Sequence, residues 1–216
     1  IRQLMDAFPE KQIFIMYGQT EATARLSYMP PEFLEEKLGS LGKAIPGVTL
    51  ELVDEKGNPV LESGVVGELV ARGDNIMKGY LGDEEGTAAA LKNGWLHTGD
   101  LAYRDDDGFF FHTARRKEII KVGGRRISPK EIEEVIVTIP GVVDCSISAI
   151  FDEILGEALK DEGVVADPDD PNMVEGPFKK LCGEKLALEK IPQVFEFSTR
   201  MRIAPTGKKT KKLNSV

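Results

Sequence analysis

The chain has 216 residues, 41% of them hydrophobic, and a formal net charge of −8. That length holds one large domain or two of roughly 100 residues each, with a core of ordinary size. The acidic balance argues against non-specific nucleic-acid binding, and no apolar run approaches the length needed to span a bilayer.

Residues 1–8 read as an amphipathic helix that Pro9 ends, and residues 12–16 as a strand of the buried type. Because the chain opens inside a helix at Ile1, with no signal peptide, an upstream segment is expected. The loop that follows is Tyr17-Gly18-Gln19-Thr20-Glu21. A strand ending in a polar, glycine-containing loop is where open α/β sheets place ligands. From residue 39 to 71 the texture changes to short strands and Gly/Pro turns. Residues 48–53 alternate, residues 55–58 turn, and residues 67–71 form a further strand, as in a small β-rich subdomain or barrel. A short helix is expected after Asp83, and a strand at Phe109-Phe110-Phe111.

A second domain is expected from Arg116. Residues 118–122 read as a strand, Gly123-Gly124 as a turn, and Ser128-Pro129-Lys130-Glu131 as a helix start in which Ser128 caps and Glu131 closes a capping box. Residues 142–150 then read as a strand, 174–190 as a helix and 194–197 as a strand. This mixed order predicts an α+β lid with a small sheet and flanking helices. Cys145 and Cys182 have no metal-ligand spacing and make no disulfide framework, which fits a reducing, cytoplasmic setting. Cys182 shares an apolar helical stripe with Phe178, Leu181 and Leu186, so packing is its expected role.

Four segments carry chemistry. In residues 17–21 an aromatic ring can stack on a base, a Thr hydroxyl can bond a phosphate, and a Glu carboxylate can hold Mg²⁺. In Gly94-Trp95-Leu96-His97-Thr98-Gly99-Asp100 the carboxylate follows a glycine at an expected strand start, where it can accept bonds from both ribose hydroxyls or simply hold a turn. His97 and His112 read as structural or exposed. In residues 115–126, Arg115, Arg116, Lys117, Lys121, Arg125 and Arg126 interleave with Ile119, Ile120 and Val122. That suits a strand whose basic side chains point one way, beside a Gly-Gly turn open to close backbone approach. In the basic tail, Pro205-Thr206-Gly207-Lys208 presents a lysine on a turn, able to stabilise charge on a transferring phosphoryl group.

In this order and spacing the four segments resemble the adenylate-forming superfamily, which includes acyl-CoA synthetases, peptide-synthetase adenylation domains and beetle luciferases. The resemblance runs from Tyr17 to Lys208. It implies the β-rich end of a large AMP-binding domain (residues 1–115) followed by a small α+β lid (residues 116–216). It implies that Tyr17, beside Gly18, packs against adenine, that Thr20 contacts phosphate and that Glu21 binds Mg²⁺. Asp100 and Arg115 would hold the ribose, Lys117 would be the hinge, and Lys208 would act at the carboxylate and α-phosphate, with Lys209 as a substitute. Lys121, Gly124 and Arg126 would form the lid face used with the incoming thiol. Ala114 stands where many members have Gly, and the tail around Lys208 is shorter than usual. The implied activity is an ATP-dependent ligase joining a fatty or aromatic acid to coenzyme A through acyl-AMP. Transfer to a carrier protein and a non-catalytic nucleotide-binding module are the alternatives. No Gly/Ser/Thr-rich phosphate loop precedes Tyr17, so the isolated chain is expected to be an inactive piece of the enzyme.

Overall fold

Alternating apolar and polar residues build most of the first of two units, Ile1–Arg116 and Lys117–Val216, in a chain whose computed structural model describes residues 1–200. The first unit runs α1 (Arg2–Ala7), β1 (Ile15–Tyr17), β2 (Ser27–Met29), β3 (Ser40–Ala44), β4 (Val48–Val53), β5 (Gly67–Gly73), α2 (Glu84–Ala90), β6 (Leu91–Lys92), β7 (Trp95–Arg104) and β8 (Phe110–Arg115). Along β4, Leu50 and Leu52 face the core while Thr49 faces solvent, the period of two that a half-buried strand requires. The strands pair in the order β1-β2-β3-β8-β7-β5-β4, with β6 a hairpin partner of β7. The ladder is an open path ending in β1 and β4, so hydrogen bonds among the described residues do not close the anticipated barrel. Its core is Leu50, Leu52, Leu69, Ala71, Leu96, Ala102 and Phe110, with Ala22 and Leu26 added by the β1–β2 connection.

Two expectations change here. The first strand is only three residues long, and Phe14 and Met16 are 46% and 51% exposed, because β1 ends the ladder and pairs with β2 alone. Asp100 does not open a strand. It lies in the interior of β7, which runs through Gly99 in a left-handed conformation (φ 73°) and shifts register between Leu101 and Ala102.

The second unit comprises β9 (Ile120–Val122), β10 (Arg125–Ile127), α3 (Pro129–Ile136), β11 (Val142–Asp152), β12 (Gly156–Val165), α4 (Glu175–Gly183) and β13 (Val194–Ser198). Its strands follow the order β10-β9-β12-β11, and β13 adds to β12 in parallel. Ile132 and Ile136 of α3 and Phe178 and Cys182 of α4 are fully buried against this sheet, and the Phe178 ring meets Phe195 and Phe197 edge-on at 5.4 and 5.0 Å. The unit is α+β, as the mixed element order predicts. The expected strand at 118–122 begins only at Ile120, because Arg116–Glu118 forms a 3-10 turn. Helix α4 stops at Gly183 instead of reaching Lys190, glycine being a poor helix residue, and Leu188–Lys190 is a separate turn. Pro129 takes the first helical position of α3, but Ser128 makes no side-chain cap and Glu131 pairs with Lys190, so the capping box does not form. No helix among the described residues is long and apolar enough to cross a membrane.

Candidate functional site

Antiparallel pairing of β7 with β8 sets Asp100 directly opposite Arg115. Asp100 is 2% exposed, and its Oδ2 accepts a 2.6 Å hydrogen bond from the Tyr17 hydroxyl at the end of β1. Arg115 Nε lies 3.0 Å and His112 Nε2 3.4 Å from Oδ1, yet Oδ1 accepts no well-aligned hydrogen bond from the described residues. Burial alone would push this carboxyl up. The neighbouring His112, the Tyr17 hydroxyl and the Arg115 charge outweigh burial and hold it below the usual carboxylate value. Tyr17 moves the other way: burial first, then the Asp100 charge, push its phenol up, so it remains a donor. The fold thus assembles Tyr17, Asp100 and Arg115 from three strands. It also adds His112, which the sequence left as structural or exposed.

The loop between β1 and β2 is held tightly. A Cβ on Gly18 would stand 2.3 Å from the Ala24 carbonyl oxygen and 2.7 Å from Arg25 Cα, so the chain folds back over Gly18 where no side chain fits. Thr20–Ala22 form a 3-10 turn, followed by Thr23 and Ala24 in left-handed conformations (φ 51° and 67°). Thr20 is exposed, and Glu21 Oε1 accepts a 2.6 Å bond from the Tyr80 hydroxyl. Gly18→Ala is expected to destabilise the first unit by roughly 1–3 kcal/mol, as overpacking against backbone does. Trp95 fluorescence during urea unfolding reads this directly, since the chain's one tryptophan lies in that unit.

Sequence reasoning missed Glu68. It is 7% exposed on β5 and gathers His97 Nδ1 at 3.0 Å, Arg116 Nη1 at 3.1 Å and the Gly99 amide at 3.2 Å. Thr98 Oγ1 adds a bond to the Leu69 carbonyl at 2.6 Å and accepts one from the Asp100 amide at 3.1 Å. Together these pin the bend that turns Asp100 inward. The available signal was a lone carboxylate within the apolar run of β5, since a buried charge requires partners.

Lys121 and Arg126 pair in register on β9 and β10, both exposed, and Gly123 and Gly124 turn between them with φ 54° and 80°. Positive φ at both positions is what a two-residue hairpin of type I′ demands. Lys117 opens the second unit. These residues occupy one hairpin and its approach within their own unit. Lys208 lies outside the described residues.

The family described as AMP-binding enzyme matches residues 1–81. The 2-succinylbenzoate–CoA ligase of Bacillus pumilus (strain SAFR-032) is 40% identical over 185 residues, which cover 86% of this chain and 37% of that protein. The solved o-succinylbenzoate CoA synthetase (MenE) from Bacillus subtilis in complex with the acyl-adenylate intermediate OSB-AMP aligns with a TM-score of 0.83 and 33% identity, over 96% of this chain and 42% of that one. The chain belongs to the AMP-binding enzyme family. The same synthetase solved with ATP and magnesium ion aligns with a TM-score of 0.82 at 33% identity, over 96% of this chain and 42% of that chain. This AMP-binding family chain therefore spans well under half the length of the relatives it matches.

The residues present fit a nucleotide. A buried carboxylate oxygen without an aligned donor, beside a half-exposed arginine, is an acceptor suited to a ribose hydroxyl. A single carboxylate such as Glu21, its Oε1 held by the Tyr80 hydroxyl, suits a magnesium ion shared with phosphates. Among the described residues no group of three or more His, Cys, Asp or Glu could hold a metal by itself, and Mg²⁺ is commonly held by one or two carboxylates plus phosphate oxygens.

Proposed function

We propose that the complete gene product is an ATP-dependent carboxylic acid:CoA ligase of the AMP-forming type. The observation that carries this reading is the Tyr17–Asp100–Arg115 cluster, set in a fold shared with a synthetase solved around an acyl-adenylate. In this reading Asp100 accepts the ribose hydroxyls while the half-exposed Arg115 lies over them, and the Tyr17 ring lines the adenine side. Thr20 binds phosphate. Glu21 is the carboxylate that holds Mg²⁺, which neutralises phosphate charge as the acid displaces pyrophosphate. The acid's carboxylate attacks the α-phosphorus to give acyl-AMP. A thiol then attacks the acyl carbon and AMP leaves. Lys208 serves the first step and the Lys121–Gly124–Arg126 hairpin the second, with Lys117 as pivot between residues 1–115 and the lid.

The acid is fatty or aromatic. The B. pumilus and B. subtilis relatives are named for succinylbenzoate, which makes an aromatic acid the first substrate to try. Coenzyme A is the expected acceptor, and a phosphopantetheine carrier the alternative. A reducing cytoplasm is part of the same reading, supported by two buried thiols that form no disulfide. The test supplies the complete gene product with ATP, Mg²⁺, a panel of aromatic and fatty acids, and coenzyme A or a loaded carrier. Acid-dependent release of pyrophosphate and then AMP is the expected result. Tight AMP binding with no acid-dependent pyrophosphate release from any of the panel would instead make the protein a nucleotide-binding module.

A further inference from the structure

Residues 75–80, between β5 and α2, carry no chemistry of their own in the reading above, yet they hold the loop after β1 at every step. Asn75 Nδ2 donates to the carbonyls of Ala22 and Arg25 at 3.0 and 2.9 Å. Thr23 Oγ1 returns a bond to the Asn75 carbonyl at 2.7 Å, and the Met77 amide donates to the Glu21 carbonyl at 2.7 Å. These bonds hold a backbone that would otherwise relax, because non-glycine residues in left-handed conformations, such as Thr23 and Ala24, are strained. They fix only the main chain of residues 21–25. Among the described residues, the contact that fixes the Glu21 side chain is the Tyr80 hydroxyl, 2.6 Å from Oε1.

Tyr80 is itself anchored. Its amide donates to Thr87 Oγ1 at 2.8 Å, and Thr87 Oγ1 donates to the Asp83 carbonyl at 2.7 Å. Gly79 lets the chain pass against Thr87, where a Cβ would stand 2.8 Å from the Thr87 methyl. The tyrosine is 40% exposed and absent from the core clusters, so its ring is not there to fill volume. A neutral donor on one carboxylate oxygen leaves the other to accept a cation, and it removes the freedom of a glutamate side chain to swing away.

We infer that Tyr80 is a positioning residue for Glu21, holding Oε1 so that Oε2 is presented to the divalent cation that accompanies ATP. This rests on the reading of Glu21 as the metal-binding carboxylate. The hydroxyl, not the ring, does the work, so Tyr80→Phe in the complete gene product is the informative change. Mn²⁺ binding in the presence of a non-hydrolysable ATP analogue, followed by electron paramagnetic resonance, is expected to weaken about tenfold, as loss of an outer partner of a metal ligand does. AMP binding without metal and the thermal unfolding midpoint should stay at the parent values, which a merely structural role for the hydroxyl would not produce. Glu21→Gln is measured alongside. If Glu21→Gln weakens Mn²⁺ binding and Tyr80→Phe does not, the role of Tyr80 is overturned and the reading of Glu21 stands. If neither change moves Mn²⁺ binding, the metal assignment of Glu21 falls, and the role of Tyr80 falls with it.

Discussion

Replacing Asp161 by asparagine is expected to make the second unit progressively more stable than the parent as the pH rises, by about 4 kcal/mol between about pH 3 and about pH 9. Asp161 is fully buried on β12, and neither carboxylate oxygen has a hydrogen-bond partner among the described residues. Burial, then the charges of Glu133 and Glu162, push its pKa from 3.8 up to about 7. The folded carboxyl therefore keeps its proton while the unfolded one has lost it. Asp161 weighs least on stability below about 3.8. Its stabilising protonation is lost progressively as the pH rises through about 7, above which the folded unit holds an unpaired buried charge. Asparagine keeps the shape and a neutral polar group at every pH, so the difference between the two proteins isolates the ionisation. Fluorescence is blind here because Trp95 and the four tyrosines lie in the first unit. Hydrogen exchange at the β11 and β12 amides across this pH range is the suitable readout. A parallel pH dependence in both proteins would mean that Asp161 finds a partner on ionising.

The second large effect is expected at Asp100. Asp100→Ala should weaken AMP binding by the complete gene product at least tenfold, since a hydrogen bond to a charged group contributes about 1.5–3 kcal/mol and the ribose offers two hydroxyls. It also leaves the Tyr17 hydroxyl without its acceptor and the Arg115 guanidinium without its counter-charge. Titration calorimetry with AMP measures the loss, and circular dichroism checks that the sheet persists. Because the Asp100 pKa is depressed, its ionised, paired form is present above the usual carboxylate value and is lost only as the pH falls through the lower folded value. AMP affinity should therefore show no step from Asp100 between about pH 5 and about pH 8. AMP binding by Asp100→Ala at parental strength would remove the ribose role.

Much of the site could be read from local sequence because its parts are short motifs with local backbone demands. Gly18 marked a ligand-type loop after a strand and Gly123-Gly124 a turn, while the crossing of the chain over Gly18 and the bend of β7 through Gly99 came only with the structure. What failed were inferences about extent and environment. Residues 12–16 looked like a buried strand, but only Ile15–Tyr17 form one and it ends a ladder, and the apolar spacing of residues 174–190 outran a helix that Gly183 stops. Glu68 and Tyr80 were passed over because their partners lie 29 to 59 residues away in sequence, beyond the reach of any local pattern.

Asp161 and Asp100 show the same division. Sequence by itself determined the β-rich first part, the α+β second part and, through the resemblance its motifs carry, the AMP-binding family, because strand period, turn glycines and motif spacing are properties of neighbouring residues; that Asp100 faces Arg115 came from the pairing of β7 with β8. Only the tertiary structure decided that Tyr17 donates to Asp100, that Glu68 braces the bend beside it, and that Asp161 shares the inner face of β12 with Leu159 and Val165. Each of these depends on which strands lie side by side and what covers them, and desolvation and hydrogen bonding act through that arrangement in space rather than along the chain.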